Sequence, residues 1–242
     1  MDLEGILTTH HDKDADVTMH LLNVADPRAF GCVPTDSNGR VTAFLEKTED
    51  PPTNQINAGC YVFKRSVIES IPADRVVSVE RETFPGLLAE GRLVVGHVDN
   101  SYWRDMGRPD DFTRGSSDLV RGIAPSPLIE GKTGESLVDP SAGIAGGVLL
   151  LSGTAVGRGS EVGAGSRLEG TVVFDGVRIE PGAIIHNSII ASGAHIGANA
   201  VIENCVIGEG AHIGARCELL DGMRVFPGVS IPDAGVRFSS DA

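Results

Sequence analysis

Residues 161–220 read EVGAGSRLEGTVVFDGVRIEPGAIIHNSIIASGAHIGANAVIENCVIGEGAHIGARCELL, and the spacing of the aliphatic residues in this stretch decides the architecture of the C-terminal half. Val162 and Leu168 are six apart, and so are the members of the sets Val173–Ile179–Ile185, Ile190–Ile196–Ile202 and Ile207–Ile213–Leu219. Between sets the phase slips by one residue, so that Leu168, Ile185, Ile202 and Leu219 are seventeen apart, three hexads less one. The same beat extends backwards through Val156, Leu150, Ile144 and Val138 and forwards through Val225 and Ile231. The fourth residue after each aliphatic is small or β-branched, as in Ser160, Ser166, Val177, Ala183, Ala200, Ala211, Cys217 and Val229, and glycines such as Gly159, Gly165, Gly176, Gly182, Gly210, Gly222 and Gly228 lie between.

A strand that turns a corner every six residues wraps a three-sided prism, with aliphatic side chains stacked inside, small residues near the corners and glycines supplying backbone angles that other residues resist. The spacing predicts a left-handed parallel β-helix over residues 138–242, of five or so coils, stacked at the strand separation of about 4.8 Å. An array of amphipathic helices does not tolerate this glycine density, and a β-sandwich shows a period of two rather than six. The pattern resembles the hexapeptide-repeat family, which occurs in acyltransferases and as an accessory domain of sugar nucleotidyltransferases. Arg178, His195 and His212 each precede an inward aliphatic at intervals of seventeen and are expected to stack on one outer face. An acyltransferase with a histidine general base is one reading of that ladder; solvated turn residues on a domain used for packing and subunit assembly is the reading preferred. Val225, Phe226, Val229 and Ile231 are expected to cap or dock the end of the helix, and the tail from Arg237 to Ala242 to be loose.

Composition changes near Pro125. Most of the charge and every aromatic residue except Phe174, Phe226 and Phe238 precede it, and most of the glycines follow. Three segments are therefore expected: an α/β domain over 1–124, a linker over 125–137, and the β-helix. A net charge of -13 offers no basic stripe to displace counterions, which argues against nucleic acid or an anionic membrane as partner. No apolar run approaches the roughly 20 residues of a membrane helix, and a cytoplasmic location is the expectation. Cys32, Cys60, Cys205 and Cys217 form no metal-binding spacing and are expected to be free thiols, buried or half-buried.

In the first domain Asp2 is placed to start a short helix at Leu3. Alternation predicts strands over Ala15–Val24, Val41–Glu46, Ala58–Lys64 and Leu93–Val98, and helices over Arg65–Ser70, Arg81–Glu90 and Asp110–Gly122. Four clusters stand out: Phe30-Gly31 at a strand start, Phe44-Leu45-Glu46-Lys47 at a strand end, Asn57-Ala58-Gly59-Cys60-Tyr61 leading into a strand, and Tyr102-Trp103-Arg104-Asp105-Met106-Gly107 before a helix. Singly, each is equally well a strand end, a turn or a loop.

Their order changes this. F-x-E-K, N-A-G-x-Y, S-x-E-R-E-x-F-P (Ser78–Pro85) and Y-W-x-D-x-G, followed by hexapeptide repeats, resemble the sugar-1-phosphate nucleotidyltransferases along almost the whole chain, most closely those that guanylylate mannose-1-phosphate. The resemblance implies that a sugar-1-phosphate attacks the α-phosphorus of a nucleoside triphosphate and pyrophosphate leaves, with GTP and mannose-1-phosphate the expected pair. It implies that Glu46 accepts hydrogen bonds from sugar hydroxyls and that Lys47 holds the sugar's phosphate. Asn57 and the backbone at Gly59 and Gly31 would complete the sugar pocket, and Asp105 would be a ligand of Mg²⁺. Lys47 and Asp105 are thus the expected catalytic residues, and Gly31, Glu46, Lys47, Asn57 and Gly59 the substrate-binding set. A homo-oligomer or a homologous partner, joined through the β-helix, is also implied.

The chain departs from the family pattern in having Thr48 where proline often follows the lysine. The glycine-rich G-G-x-G-T-R-L loop, a downstream lysine and an N-G-D are not in it. Met1 aligns after the N-G-D, so roughly a hundred residues, the size of a mononucleotide-binding half, would precede it in a complete enzyme. The chain alone is accordingly expected to be inactive, with apolar faces left uncovered. A non-catalytic regulatory or assembly subunit is the alternative of a different class.

Overall fold

The computed structural model describes residues 1–129 and 131–237, and the chain divides into two compact units, Met1–Trp103 and Arg104–Ala242. In the first unit a helix, α1 (Leu3–Asp12), starts where expected because the Asp2 carboxylate accepts from the Gly5 N–H at 2.8 Å. Strands β1 (Val17–Asn23), β2 (Gly31–Cys32), β3 (Leu45–Glu46), β4 (Gln55–Phe63) and β5 (Val94–Val98) form one sheet in the order β3-β2-β4-β1-β5. β1 lies at its centre, parallel to β5 and antiparallel to β4. Six of the seven residues of β1 are buried, so that the polar alternates Thr18 and His20 are as buried as the apolar Val17, Met19 and Leu21.

Helix α2 (Arg65–Ser70), one turn of π-helix (Val79–Thr83) and α3 (Phe84–Ala89) follow β4. Phe84 sits among Phe44, Tyr61 and Phe63 with ring centroids 5.0 to 6.1 Å apart, and with Val17, Met19, Leu21, Val67 and Leu87 these rings make the core of the unit. The expected strand over Val41–Glu46 is shorter, β3 alone; Val41 lies outside it in an isolated bridge with Thr35, its N–H donating to the Val94 carbonyl of β5 at 2.9 Å. The expected helix from Arg81 opens as the π turn. The Ser78 hydroxyl there accepts from the Arg81 N–H, and the Glu82 carboxylate accepts from the Ser78 N–H.

In the second unit helix α4 (Pro109–Val120) precedes a parallel β-helix. Its short strands stack in three sheets, two of six rungs and one of five, where five or so coils are expected. The registers keep the aliphatic beat: Val162, Ile179, Ile196 and Ile213 are successive rungs of one sheet, and Leu168, Ile185, Ile202 and Leu219 of another. Central coils take seventeen residues, whereas the pairings Ile144–Val162 and Ile213–Ile231 span eighteen. Each inward aliphatic of the six-residue beat from Leu168 to Leu219 is 2% exposed or less. Corner residues Ser160, Ser166, Thr171 and Cys205 are also buried, and they donate to carbonyls fourteen residues on in the next coil, which meets the need of a buried polar group for a partner.

The glycine after many inward aliphatics has a steric reason. A Cβ on Gly163, Gly197, Gly208 or Gly214 would stand 2.4 to 2.5 Å from backbone nitrogen of the next coil. Helix α4 lies on the strand Thr154–Val156, its Ser117 hydroxyl donating to the Ser152 carbonyl at 2.6 Å and its Phe112 ring stacked on Phe174. At the far end Phe226 is 76% exposed. Of the tail expected to be loose, residues 238–242 lie outside the described ones. No helix among the described residues is long and apolar enough to cross a membrane. The four cysteines are free thiols, Cys60 half-buried and the others buried.

Candidate active site

In the first unit, pairing of β2 with β3 sets Gly31 opposite Glu46, and Cys32 pairs with Ile56 on β4. This register brings the first three clusters of the sequence to adjoining strands. Gly31 is buried, and a Cβ there would stand 3.0 Å from Glu46 Oε2 and 3.0 Å from the Phe44 ring. The missing side chain is therefore what lets the Glu46 carboxylate lie over the strand. Glu46 remains partly accessible, its side chain 26% exposed, and Lys47 Nζ stands 3.8 Å from Glu46 Oε1. Lys47 takes a left-handed backbone, φ 48°, while its N–H donates to the Phe30 carbonyl. An unbranched side chain at positive φ costs about 1–2 kcal/mol, and here it ends β3 and carries the ammonium into solvent.

Asn57 is occupied on every side. Its Oδ1 accepts from the Gly59 N–H at 3.0 Å, and Nδ2 donates to the Tyr61 hydroxyl at 2.6 Å and to Glu80 Oε1 at 3.1 Å. The Oδ1 bond closes a turn with Gly59 at φ 80°, and the turn bulges β4, because Met19 and Leu21 of β1 oppose Tyr61 and Asn57. Gly59 has open space where a Cβ would be, so its backbone angle, not crowding, accounts for glycine. With both amide hydrogens engaged, what Asn57 supplies is the placement of Glu80, Tyr61 and the bulge. The Tyr61 O–H has no acceptor among the described residues. Burial pushes the Tyr61 hydroxyl above its ordinary pKa; the Asn57 bond opposes this, and the nearby Glu80 and Glu46 carboxylates add to it.

An aromatic pair flanks the bulge. Trp103 donates from Nε1 to the Ala58 carbonyl at 3.1 Å, and its ring meets Phe30 edge-on with centroids 5.9 Å apart. Glu80, Tyr61, Phe30 and Trp103 were not among the residues expected at the site. Glu80 is the third letter of the Ser78–Pro85 motif, yet in a segment read as the approach to a helix a carboxylate looks like a solvated one. The π turn, a feature that clusters at functional sites, is what turns it to Asn57.

Asp105 lies in the second unit, exposed, on the stretch before α4 whose Arg104 is bound to Asp118. It is a hard oxygen donor of the kind Mg²⁺ takes, and Mg²⁺ commonly rests on one or two carboxylates plus substrate phosphates. Among the described residues no group of three or more His, Cys, Asp or Glu gathers to hold a metal ion.

The histidine ladder is formed. His195 and His212 pair on adjacent rungs with Nδ1 atoms 2.9 Å apart, and His195 Nε2 faces Glu180 Oε1 at 3.2 Å. No long loop breaks the coils on either side of it; the strand pairs there are joined by short turns.

The chain is similar to known proteins along nearly its whole length. Residues 1–122 match the nucleotidyl transferase family, and residues 132–236 match the GMPPB C-terminal domain. Along 99% of its length the chain is 63% identical to a mannose-1-phosphate guanylyltransferase of Mycobacterium tuberculosis, covering 67% of that protein. It is 35% identical to mannose-1-phosphate guanylyltransferase 1 of Arabidopsis thaliana over 69% of this chain and 47% of that one. To the catalytic subunit beta of the Danio rerio mannose-1-phosphate guanylyltransferase it is 33% identical over 57% of this chain and 40% of the relative. The chain therefore spans about two thirds of the first relative and less than half of the other two. On the family match and on near full-length identity, the chain belongs to the nucleotidyl transferase family, in its mannose-1-phosphate guanylyltransferase branch.

Proposed function

We propose that the protein to which this chain belongs joins GTP to mannose-1-phosphate, forming GDP-mannose and pyrophosphate, and that the first unit holds the sugar phosphate. The observation that carries the proposal is the Glu46–Lys47 pair at the end of β3, an acceptor for hydroxyls next to a cation for phosphate, set over a residue with no side chain. Mannose-1-phosphate presents those two chemistries a few bonds apart.

In this reading Glu46 accepts from sugar hydroxyls, and Glu80 adds a second carboxylate oxygen held by Asn57. Phe30 and Trp103 offer apolar faces to the ring's C–H groups. Lys47 neutralises the sugar's phosphate and fixes its direction, so that a phosphate oxygen can attack the α-phosphorus in line with the departing pyrophosphate. Catalysis of this kind is positioning and charge neutralisation, without a covalent intermediate on the protein. Mg²⁺, which this family generally uses, would spread the charge of the triphosphate when bound, with Asp105 supplying one oxygen. The β-helix is the surface proposed for assembly with further copies, in support of which Leu149, Ile184, Phe226 and Val229 stand exposed on it.

The test joins the chain to the portion of the Mycobacterium tuberculosis relative that the match leaves out, and measures pyrophosphate release from GTP and mannose-1-phosphate. Release that requires Mg²⁺ and is lost on Asp105→Asn is expected. A folded product indifferent to every nucleoside triphosphate and sugar phosphate offered would refute the reading.

A further inference from the structure

The His195–His212 pair has no part in the reaction above, and its geometry is specific. The rings meet edge to face at 69° with centroids 4.5 Å apart, and both Nδ1 atoms point into the gap between them. A carboxylate only accepts, so the bond between His195 Nε2 and Glu180 Oε1 places the ring hydrogen of His195 on Nε2 and leaves a lone pair on Nδ1. Opposite it, the hydrogen of His212 stands on Nδ1 and donates. Move that hydrogen to the outer nitrogen of His212, and two ring nitrogens with free lone pairs stand 2.9 Å apart on adjacent rungs.

We propose that His195 and His212 form a two-imidazole site for a divalent transition metal of the nitrogen-preferring kind, such as Zn²⁺ or Ni²⁺. Two metal–nitrogen bonds of about 2.0–2.1 Å in tetrahedral geometry hold their nitrogens about 3.3 Å apart, a few tenths of an ångström beyond the 2.9 Å found. On binding, His212 releases the Nδ1 hydrogen to water and takes one at Nε2, so the ring stays neutral. The ion gives up two waters. Glu180 fills the place of the carboxylate that orients a metal-bound histidine through its other nitrogen. Arg178, paired with His195 one rung earlier, also donates to Glu180 Oε1, at 3.0 Å. Its charge opposes a second cation, and with no third protein ligand gathered among the described residues the site is a weak one. The ladder belongs to a rigid frame: Ile196 and Ile213, the residues after each histidine, are fully buried and fix the spacing of the rungs.

Calorimetric titration of the full chain with Ni²⁺ alone tests the proposal, together with histidine ring resonances followed by NMR. One ion per chain is expected, with His195 and His212 the first rings to respond. His195→Gln and His212→Gln should each weaken binding at least tenfold and Glu180→Gln severalfold, whereas His186→Gln, on another sheet, should leave it unchanged. Equal affinity in His212→Gln, or first response at any other histidine of the unsubstituted chain, overturns the site. The second outcome needs no variant, so a folding defect in a substituted chain does not shelter the idea, and neither outcome bears on sugar phosphate binding.

Discussion

Asn57 Nδ2 donates to Glu80 Oε1 at 3.1 Å, tying the bulge of β4 to the π turn that precedes α3. Through this bond an amide in one cluster of the sequence sets the direction of a carboxylate twenty-three residues on. Asn57→Ala should free Glu80 and open the Gly59 turn, leaving half-buried partners unpaired at a cost of about 1–3 kcal/mol. Asn57→Asp should be worse for sugar phosphate binding, since it sets a carboxylate against Glu80. Urea unfolding and mannose-1-phosphate titration of the two variants check the order.

Lys47 offers a substitution whose effects on stability and binding separate. Its φ of 48° suits glycine, so Lys47→Gly should keep or raise the unfolding midpoint while abolishing the affinity for the sugar's phosphate. Lys47→Ala should lose the affinity without the gain in stability. Loss of folding in Lys47→Gly would show that the ammonium has a structural part.

In the β-helix, adding one methyl group should harm more than removing one. Ile196→Val shortens a fully buried side chain and should cost about 0.5–1.5 kcal/mol. Gly197→Ala puts a carbon 2.4 Å from the Ala215 nitrogen, and forcing coils apart should cost about 1–3 kcal/mol or more. Thermal unfolding of the pair decides between them.

A pH effect is expected at Asp99. Burial raises its pKa, yet bonds from the Ser101 hydroxyl and N–H, the Asp2 N–H and His20 outweigh burial and hold the carboxyl far below its ordinary value. A depressed carboxyl stabilises the fold above its unfolded pKa of about 3.9, and the contribution is lost as pH falls through the folded value. Ser101→Ala should therefore lower stability at pH 7 by about 1.5–3 kcal/mol, with the gap to the unsubstituted chain narrowing below about pH 4. Denaturation at a series of pH values measures it.

How much of this was legible in the sequence depends on the range of the interactions. The β-helix was, down to its registers, because each aliphatic is buried by residues one coil away and the hexad repeats that condition at every turn. Its glycines were legible as turn residues, but those of the Gly197 type answer to close approach of the next coil, which no local pattern encodes. In the first unit Glu46, Lys47, Gly31 and Asn57 were singled out through motif order rather than through physics. Glu80 escaped because its neighbour in space is a bulge on another strand. Val41 escaped as a loop residue because it is buried, and a buried residue in a loop alternates like one in a strand.

The most direct test of the central claim is calorimetric titration of the chain with mannose-1-phosphate, with and without Glu46→Gln. Glu46→Gln keeps the size of the side chain over Gly31 and changes the acceptor. The account predicts one site per chain, weakened tenfold or more by Glu46→Gln and by Lys47→Ala. Binding that neither substitution alters, in variants that unfold at the same temperature as the parent, would contradict it.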